Sequence, residues 1–266
     1  MGEEVVTDAF QPQHFVFVHG VGHGAWCWFK VRHLLEGSGH RVTCLDLTSA
    51  GIDRTDPNSV LSFEEYDRPL FDFMSALPDG DKVILVGHSA GGLCVTHAMH
   101  AFSDKIKLAI FLAATMLPSG FLSEEDILDG IPDLEKYGDV YELTYGLGRG
   151  HSPTSMALRK EFQRRILYQL SPKQDSILAS MLVRPWPTAV AKAKFTGEVE
   201  KVNKVQRIFI RTAHDNMVKP EQQDAMIRRW PPSEVLHLKT DHSPFFSAPN
   251  QLFGIILKAS TCNVNE

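Results

Sequence analysis

Six short runs of continuously apolar, mostly β-branched or aromatic residues punctuate the chain: Phe15 to Val18, Val42 to Leu45, Val83 to Val86, Leu108 to Leu112, Ile208 to Ile210 and Val235 to Leu238. None alternates polar with apolar positions, so each predicts a strand buried on both faces. Helical patterns separate the runs, and a sheet of this kind is parallel and doubly wound, with helices on either side. Between about Met116 and Phe195 the strand pattern stops. Helical segments such as Phe162 to Leu170 stand there among Pro153, Pro172, Pro185 and Pro187, which predicts a helical cap inserted into the sheet domain. The reading is therefore a mostly parallel α/β core built from 1–115 and 197–266, interrupted by a cap over 116–196. The helices Glu221 to Trp230 and Gln251 to Ser260 close the core.

Composition narrows the function classes. The 27 basic and 32 acidic residues give a net charge of −5, and no segment gathers Lys and Arg as a phosphate-binding footprint would, so nucleic acid is not an expected partner. The densest basic cluster, Arg159, Lys160, Arg164 and Arg165, reads as the solvated face of an amphipathic helix. Glu3, Glu4 and Asp8 precede no apolar stretch, so no signal peptide is visible. The longest apolar run, Leu108 to Leu117, is too short to cross a bilayer. Val6 breaks a myristoylation motif, and Cys262 lies one residue too far from the end for prenylation. The expectation is a cytoplasmic protein with no membrane partner. Its four cysteines, Cys27, Cys44, Cys94 and Cys262, form no CxxC pair and are expected to be reduced, with Cys44 and Cys94 as small buried hydrophobes.

The chemistry centres on Gly87-His88-Ser89-Ala90-Gly91, where a buried strand runs into Gly-x-Ser-x-Gly and a helix starts around Leu93. A serine on so tight a strand-to-helix turn has a strained backbone and an exposed hydroxyl, and it needs small flanking residues, here Gly87 and Gly91. A serine hydroxyl is a poor nucleophile, so it requires a histidine base and a carboxylate to set the histidine's tautomer. Asp215 follows the strand ending at Ile210, and His242 follows the strand ending at Leu238, both by short loops at the carboxyl edge of the sheet. The order Ser89, Asp215, His242 is that of the α/β-hydrolase fold. Asp241 is the second choice for the carboxylate. The loop His19-Gly20-Val21-Gly22-His23-Gly24-Ala25 supplies an oxyanion donor, read as the Val21 N–H, paired with the Ala90 N–H.

Two rival readings of the same residues are weaker. Gly20, Gly22 and Ala25 fit GxGxxA with Asp46 ending the next strand, as in a dinucleotide site, but an oxidoreductase would leave the elbow and the ordered Asp215 and His242 unexplained. His97 and His100 stand one helical turn apart without a third ligand, so no metal site is read and a helix-surface role is expected.

Wider motifs carry a family resemblance. His19-Gly20 with Gly24-Ala25-Trp26-Cys27-Trp28, then Leu45-Asp46-Leu47 with Ala50-Gly51-Ile52, then Gly87 to Gly92, resemble the plant methylesterases across nearly the whole chain. Asp139 to Leu143, Lys219 to Asp224 and Asp241 to Phe246 look most like the branch that cleaves methyl indole-3-acetate. The resemblance implies hydrolysis of a small methyl ester, such as that of a plant hormone, to free acid and methanol, with no cofactor. It also implies a homodimer. Hydroxynitrile lyases of the same family add a threonine and a lysine where this chain has Gly20 and Ser243, so lyase chemistry is disfavoured. A slow-turnover hormone receptor is the alternative from a different class. The expected apolar walls of the substrate pocket are Tyr145, Met181 and Trp186, with Gly20 beside the serine.

Overall fold

The computed structural model describes residues 11–197 and 199–261; the sequence readings at Glu3, Glu4, Val6, Asp8 and Cys262 lie outside the described residues. The chain enters through β1 (His14–Val18), α1 (Phe29–Gly37), β2 (Arg41–Leu45), α2 (Phe63–Ala76), β3 (Val83–His88), α3 (Gly91–Phe102) and β4 (Ile106–Leu112). An insertion follows, with α4 (Glu124–Gly130), β5 (Tyr141–Thr144), β6 (Ser155–Leu158), α5 (Lys160–Leu167), α6 (Lys173–Leu182) and β7 (Trp186–Pro187). The core resumes with α7 (Val199–Lys204), β8 (Arg207–Thr212), α8 (Pro220–Arg229), β9 (Glu234–Leu238), α9 (Pro244–Ser247) and α10 (Pro249–Thr261).

The main sheet is parallel throughout, in the order β2-β1-β3-β4-β8-β9. Its inner strands follow the apolar pattern: Phe15 to Val18, Val83 to Val86 and Leu108 to Leu112 are all but inaccessible to solvent. The edge strands β2 and β9 are wetter, since each lacks one neighbour. Every connection returns the chain to the same edge, which gathers the loops after β1, β3, β8 and β9 into one surface. That gathering is the fold's contribution to the site. No helix of the described residues is long and apolar enough to cross a membrane.

The insertion is not purely helical. β5, β6 and β7 form a second, antiparallel three-stranded sheet. Its strands are too short, and β5 too exposed, to print a periodic signature, and Pro187 sits in the edge strand β7, where a missing N–H is tolerated. The helix expected over Phe162 to Leu170 starts at Lys160 and stops at Leu167, because the core captures what comes next. Tyr168 is buried, its hydroxyl 2.8 Å from His23 Nε2. The Leu170 N–H (2.9 Å) and the Ser171 hydroxyl (2.8 Å) donate to Asp241 Oδ2. Asp241 Oδ1 accepts from the Ser243 N–H and the Ser247 hydroxyl.

The basic cluster on α5 also does more than meet solvent. Arg159 pairs with Asp139, the Arg165 guanidinium lies over the Tyr137 ring, and Arg164 donates to the Ser171 carbonyl and the Ser176 hydroxyl. Further along, Arg184 reaches from the insertion to the carbonyls of Gly51 and Asp53, and its own N–H donates to the Gly22 carbonyl. The insertion is thus bolted to the core on two sides of the loop after β1.

Cys27 and Cys94 are fully buried and Cys44 partly so, none in a disulfide. Burial raises all three thiols, that of Cys44 to about 12, which keeps them protonated and unreactive.

Asp241 serves four donors, two from each part of the molecule, and an amide in its place can accept with only one atom. Asp241→Asn is expected to destabilise the protein by about 2–3 kcal/mol, read as a lower urea midpoint with an unchanged slope.

Candidate active site

Ser89 sits between the end of β3 and the start of α3 with φ +54°, one of three non-glycine residues in the left-handed region among those described. Such a backbone costs roughly 1–3 kcal/mol and persists only where its surroundings dictate it. Here they do: the Ser89 N–H donates to the Leu112 carbonyl, and the Ser89 carbonyl accepts from the N–H groups of Gly92 and Thr115. The flanking glycines are required by close approach. A Cβ on Gly87 would lie 2.7 Å from a Val95 methyl, and one on Gly91 would lie 2.6 Å from the His19 carbonyl oxygen. The same crowding governs Gly20, whose added Cβ would stand 2.7 Å from Ser89 Cβ.

Asp215 and His242 arrive from the loops after β8 and β9. His242 Nδ1 lies 2.8 Å from Asp215 Oδ2, both residues being buried. Asp215 is itself held by the Thr212 hydroxyl (2.8 Å) and the N–H groups of Met217 (2.8 Å) and Val218 (2.9 Å). A carboxylate only accepts, so Nδ1 carries the hydrogen and Nε2 is the nitrogen left for the cleft. Asp241, the second choice, faces away toward the insertion, its oxygens engaged as described above.

Around this pair stand three more buried histidines, each wired to the main chain. His19 Nδ1 meets the Gly20 carbonyl at 2.8 Å while its Nε2 accepts from the Leu47 N–H. His23 Nδ1 meets the Val21 carbonyl at 3.3 Å while its Nε2 faces the Tyr168 hydroxyl. His88 Nε2 meets the His242 carbonyl at 2.7 Å. A carbonyl can only accept, so each of these nitrogens carries a hydrogen and donates, and burial keeps the three rings neutral. Desolvation lowers their pKa values, that of His23 to about 3. The Gly20 carbonyl takes a second bond from the His23 N–H, which fixes the peptide plane carrying the Val21 N–H. The Val21 and Ala90 N–H groups have no hydrogen-bond partner among the described residues.

Ser89 opens into two spaces. The larger, about 290 Å³, is walled almost wholly by apolar groups, among them Leu93, Phe121, Met156, Trp186 and Met217, and no charged residue lines it. The smaller, about 10 Å³, lies between Ser89, His23 and His242, with Leu158 and Leu167 behind. Val21, Ser89, Trp186 and Met217 line both.

Trp186 is thus where the sequence placed it, but the other two expected walls are elsewhere. Tyr145 follows β5 on the outside and is 42% exposed, and Met181 lies on the outer face of α6, 74% exposed. The wall is instead Tyr141, Met156 and Trp186, which share one face of the small sheet through the pairings Tyr141 with Leu158 and Met156 with Trp186. Tyr141 and Met156, which the sequence reading missed, stand on four-residue strands too short to show their alternation.

The remaining expectations resolve by contact. Asp46 is engaged by the Ala25 N–H (2.6 Å) and the Ile52 N–H (3.3 Å), so it ties two loops together where a dinucleotide site would need it free for a ribose. His97 is half-buried: its Nδ1 lies 2.7 Å from the buried Asp67 carboxylate and its ring stacks on Phe195. His100 Nε2 donates to the Pro118 carbonyl. Among the described residues no group of three or more His, Cys, Asp or Glu side chains is arranged to hold a metal ion.

With this geometry established, comparison with known proteins is specific. Residues 15–254 match the model of the alpha/beta hydrolase family. The chain is 50% identical over 254 residues to Methylesterase 17 of Arabidopsis thaliana, covering 94% of this chain and 92% of that one. It is 44% identical to the pheophorbidase of Raphanus sativus, covering 92% and 93%. The crystal structure of the Arabidopsis methylesterase MES16 superposes with a TM-score of 0.84 at 43% identity, covering 94% of this chain and 99% of that one.

The neutral His23 has a measurable consequence. The folded protein holds the ring neutral down to about pH 3, whereas the unfolded chain protonates it near 6.5, so the unfolded state binds the extra proton between these values and stability is lost as the pH is lowered through this range. From about pH 7 to about pH 5 the His23 contribution should drop by roughly 2 kcal/mol, with His19 and His88 acting in the same direction. Urea unfolding of His23→Gln across this range should show a dependence shallower by about 1 kcal/mol per pH unit. Parallel curves for the two proteins would contradict the assignment.

Proposed function

Since the chain belongs to the alpha/beta hydrolase family and, within it, to the plant methylesterases, we propose that it hydrolyses methyl esters of small, largely apolar acids through Ser89, His242 and Asp215. It is a carboxylic ester hydrolase. The observation that supports the finer reading is the asymmetry of the space around Ser89: an apolar chamber of about 290 Å³ on one side and a cleft of about 10 Å³ against His242 on the other. The first is of a size for a one- or two-ring acyl group and lies at the low end of ligand cavities. The second has room for about one water-sized group, which suits a methoxy leaving group and then the water that replaces it.

The chemistry follows from the positions. With the acyl group in the chamber, Ser89 Oγ attacks the ester carbon while His242 Nε2 takes the hydroxyl proton. Asp215 keeps the imidazole in the tautomer that can accept it and stabilises the cation that forms. The carbonyl oxygen becomes an oxyanion, met by the otherwise unpaired N–H groups of Val21 and Ala90. Collapse breaks the C–O bond to the methoxy group, which leaves as methanol with the proton from His242. Water in the vacated cleft, deprotonated by the same nitrogen, then cleaves the acyl-enzyme and releases the acid. No cation lines the chamber, so nothing holds the carboxylate product by charge.

Methyl indole-3-acetate is the ester we assign as the preferred class, because its flat bicyclic acyl group suits the aromatic and methionine walls. Steady-state assays with methyl indole-3-acetate, methyl salicylate and methyl jasmonate test this, and the first should turn over best. Ser89→Ala should lower kcat by four orders of magnitude or more, and Asp215→Asn by roughly 10³–10⁴-fold. The butyl ester of the preferred acid should react at least about tenfold more slowly than the methyl ester, since three added carbons overfill the cleft. Equal rates for methyl and butyl esters would remove the argument from cavity shape, and a folded protein inert to all methyl esters would overturn the proposal.

A further inference from the structure

The larger chamber has four hydroxyl-bearing side chains on its wall: Ser89, Thr115, Tyr141 and Thr188. Ser89 is assigned to the chemistry. The hydroxyl of Thr115 donates to the Gly130 carbonyl at 3.1 Å, and that of Thr188 donates to the Pro153 carbonyl at 2.6 Å. Tyr141 differs: its phenol oxygen has no hydrogen-bond partner among the described residues. Yet the ring is well placed. Its backbone pairs with Leu158 across the small sheet, and the edge-to-face contact with Trp186, centroids 6.1 Å apart at 82°, fixes its plane.

An acyl group entering this chamber leaves water for a wall that is nearly all carbon. A ring N–H or hydroxyl on that group then loses its water partners, and an unpaired buried donor is expensive. Apart from that of Ser89, the Tyr141 hydroxyl is the one side-chain hydroxyl of the wall that makes no hydrogen bond among the described residues. We propose that Tyr141 is a specificity-determining residue, whose phenol oxygen accepts a hydrogen bond from a ring N–H or hydroxyl of the acyl group. The substrate class so selected is methyl esters of heteroaromatic or phenolic acids over their purely apolar isosteres. Burial raises the phenol to about 12, so the group stays neutral at any pH at which the enzyme works and its selectivity does not vary with pH. The inference rests on the ester-hydrolase reading above.

The test is a matched pair of esters: methyl indole-3-acetate, and methyl 1-benzothiophene-3-acetate, in which sulfur replaces the N–H at nearly the same shape. Values of kcat/KM are measured for both on the parent protein and on Tyr141→Phe. The parent should favour the N–H ester by about tenfold, and Tyr141→Phe should bring the two within about twofold. Because the ratio comes from one sample, it is independent of the fraction folded. Persistence of the parent's preference in Tyr141→Phe, or no preference in the parent, overturns the role of Tyr141 while leaving ester hydrolysis standing. Turnover of neither ester by the parent overturns both readings together.

Discussion

Everything at the site depends on how closely the main chain can approach itself where β1 and β3 end. The Ser89 backbone is held at φ +54° by three main-chain hydrogen bonds, and the first turn of α3 presses against the carbonyls of Val18 and His19 at a distance that admits no side chain on Gly91. This contact sets the position of Ser89 relative to the loop carrying Val21, and therefore where, in the proposed mechanism, an oxyanion would lie. The surrounding histidines serve the same end. His19 and His23 donate to the carbonyls of Gly20 and Val21, and His88 to that of His242, so the loops that bring Val21 and His242 are each fastened by a neutral ring. A charged ring could make the same bonds but would have to be buried as an ion, and burial at these positions opposes that strongly.

The insertion supplies what the sheet edge lacks. The loops after β1, β3, β8 and β9 bring the reacting groups together, but a sheet edge is open to water. β5 to β7 close one side with Tyr141, Met156 and Trp186, and the turn at Tyr168 to Ser171 closes the other through His23 and Asp241. The two spaces on either side of Ser89 exist only because those fastenings hold the insertion at a fixed height. Removing water strengthens every polar interaction within, including those of an oxyanion with two N–H groups.

Much of this was legible in the amino-acid sequence, for identifiable reasons. Inner strands of a parallel sheet are buried on both faces, so Val83 to Val86 and Leu108 to Leu112 announce themselves by unbroken apolarity. The elbow is readable because only glycine fits at 87 and 91, and the partners of Ser89 are readable because chain order and strand ends constrain them. Of the chamber wall, only Trp186 was. Tyr145 and Met181 were chosen as large apolar residues in the insertion, but which side of a short strand or helix faces inward depends on register, and four-residue strands such as β5 and β6 carry too few positions to show it. For His97 and His100 the spacing is visible in the sequence, but the Asp67 carboxylate and the Pro118 carbonyl that receive them come from distant segments.

Trp186 and Met217 border both spaces beside the nucleophile. Any replacement there re-dimensions both spaces at once, so, with the acyl and alcohol sides assigned as proposed, the two selectivities are inherited as a linked pair. Divergence toward new acids without loss of the alcohol preference would have to proceed through residues that touch one space alone, such as Phe121 and Tyr141. Divergence toward new alcohols would proceed through Leu158 and Leu167. The shared wall is in this sense a constraint on the routes by which such an enzyme can change its diet.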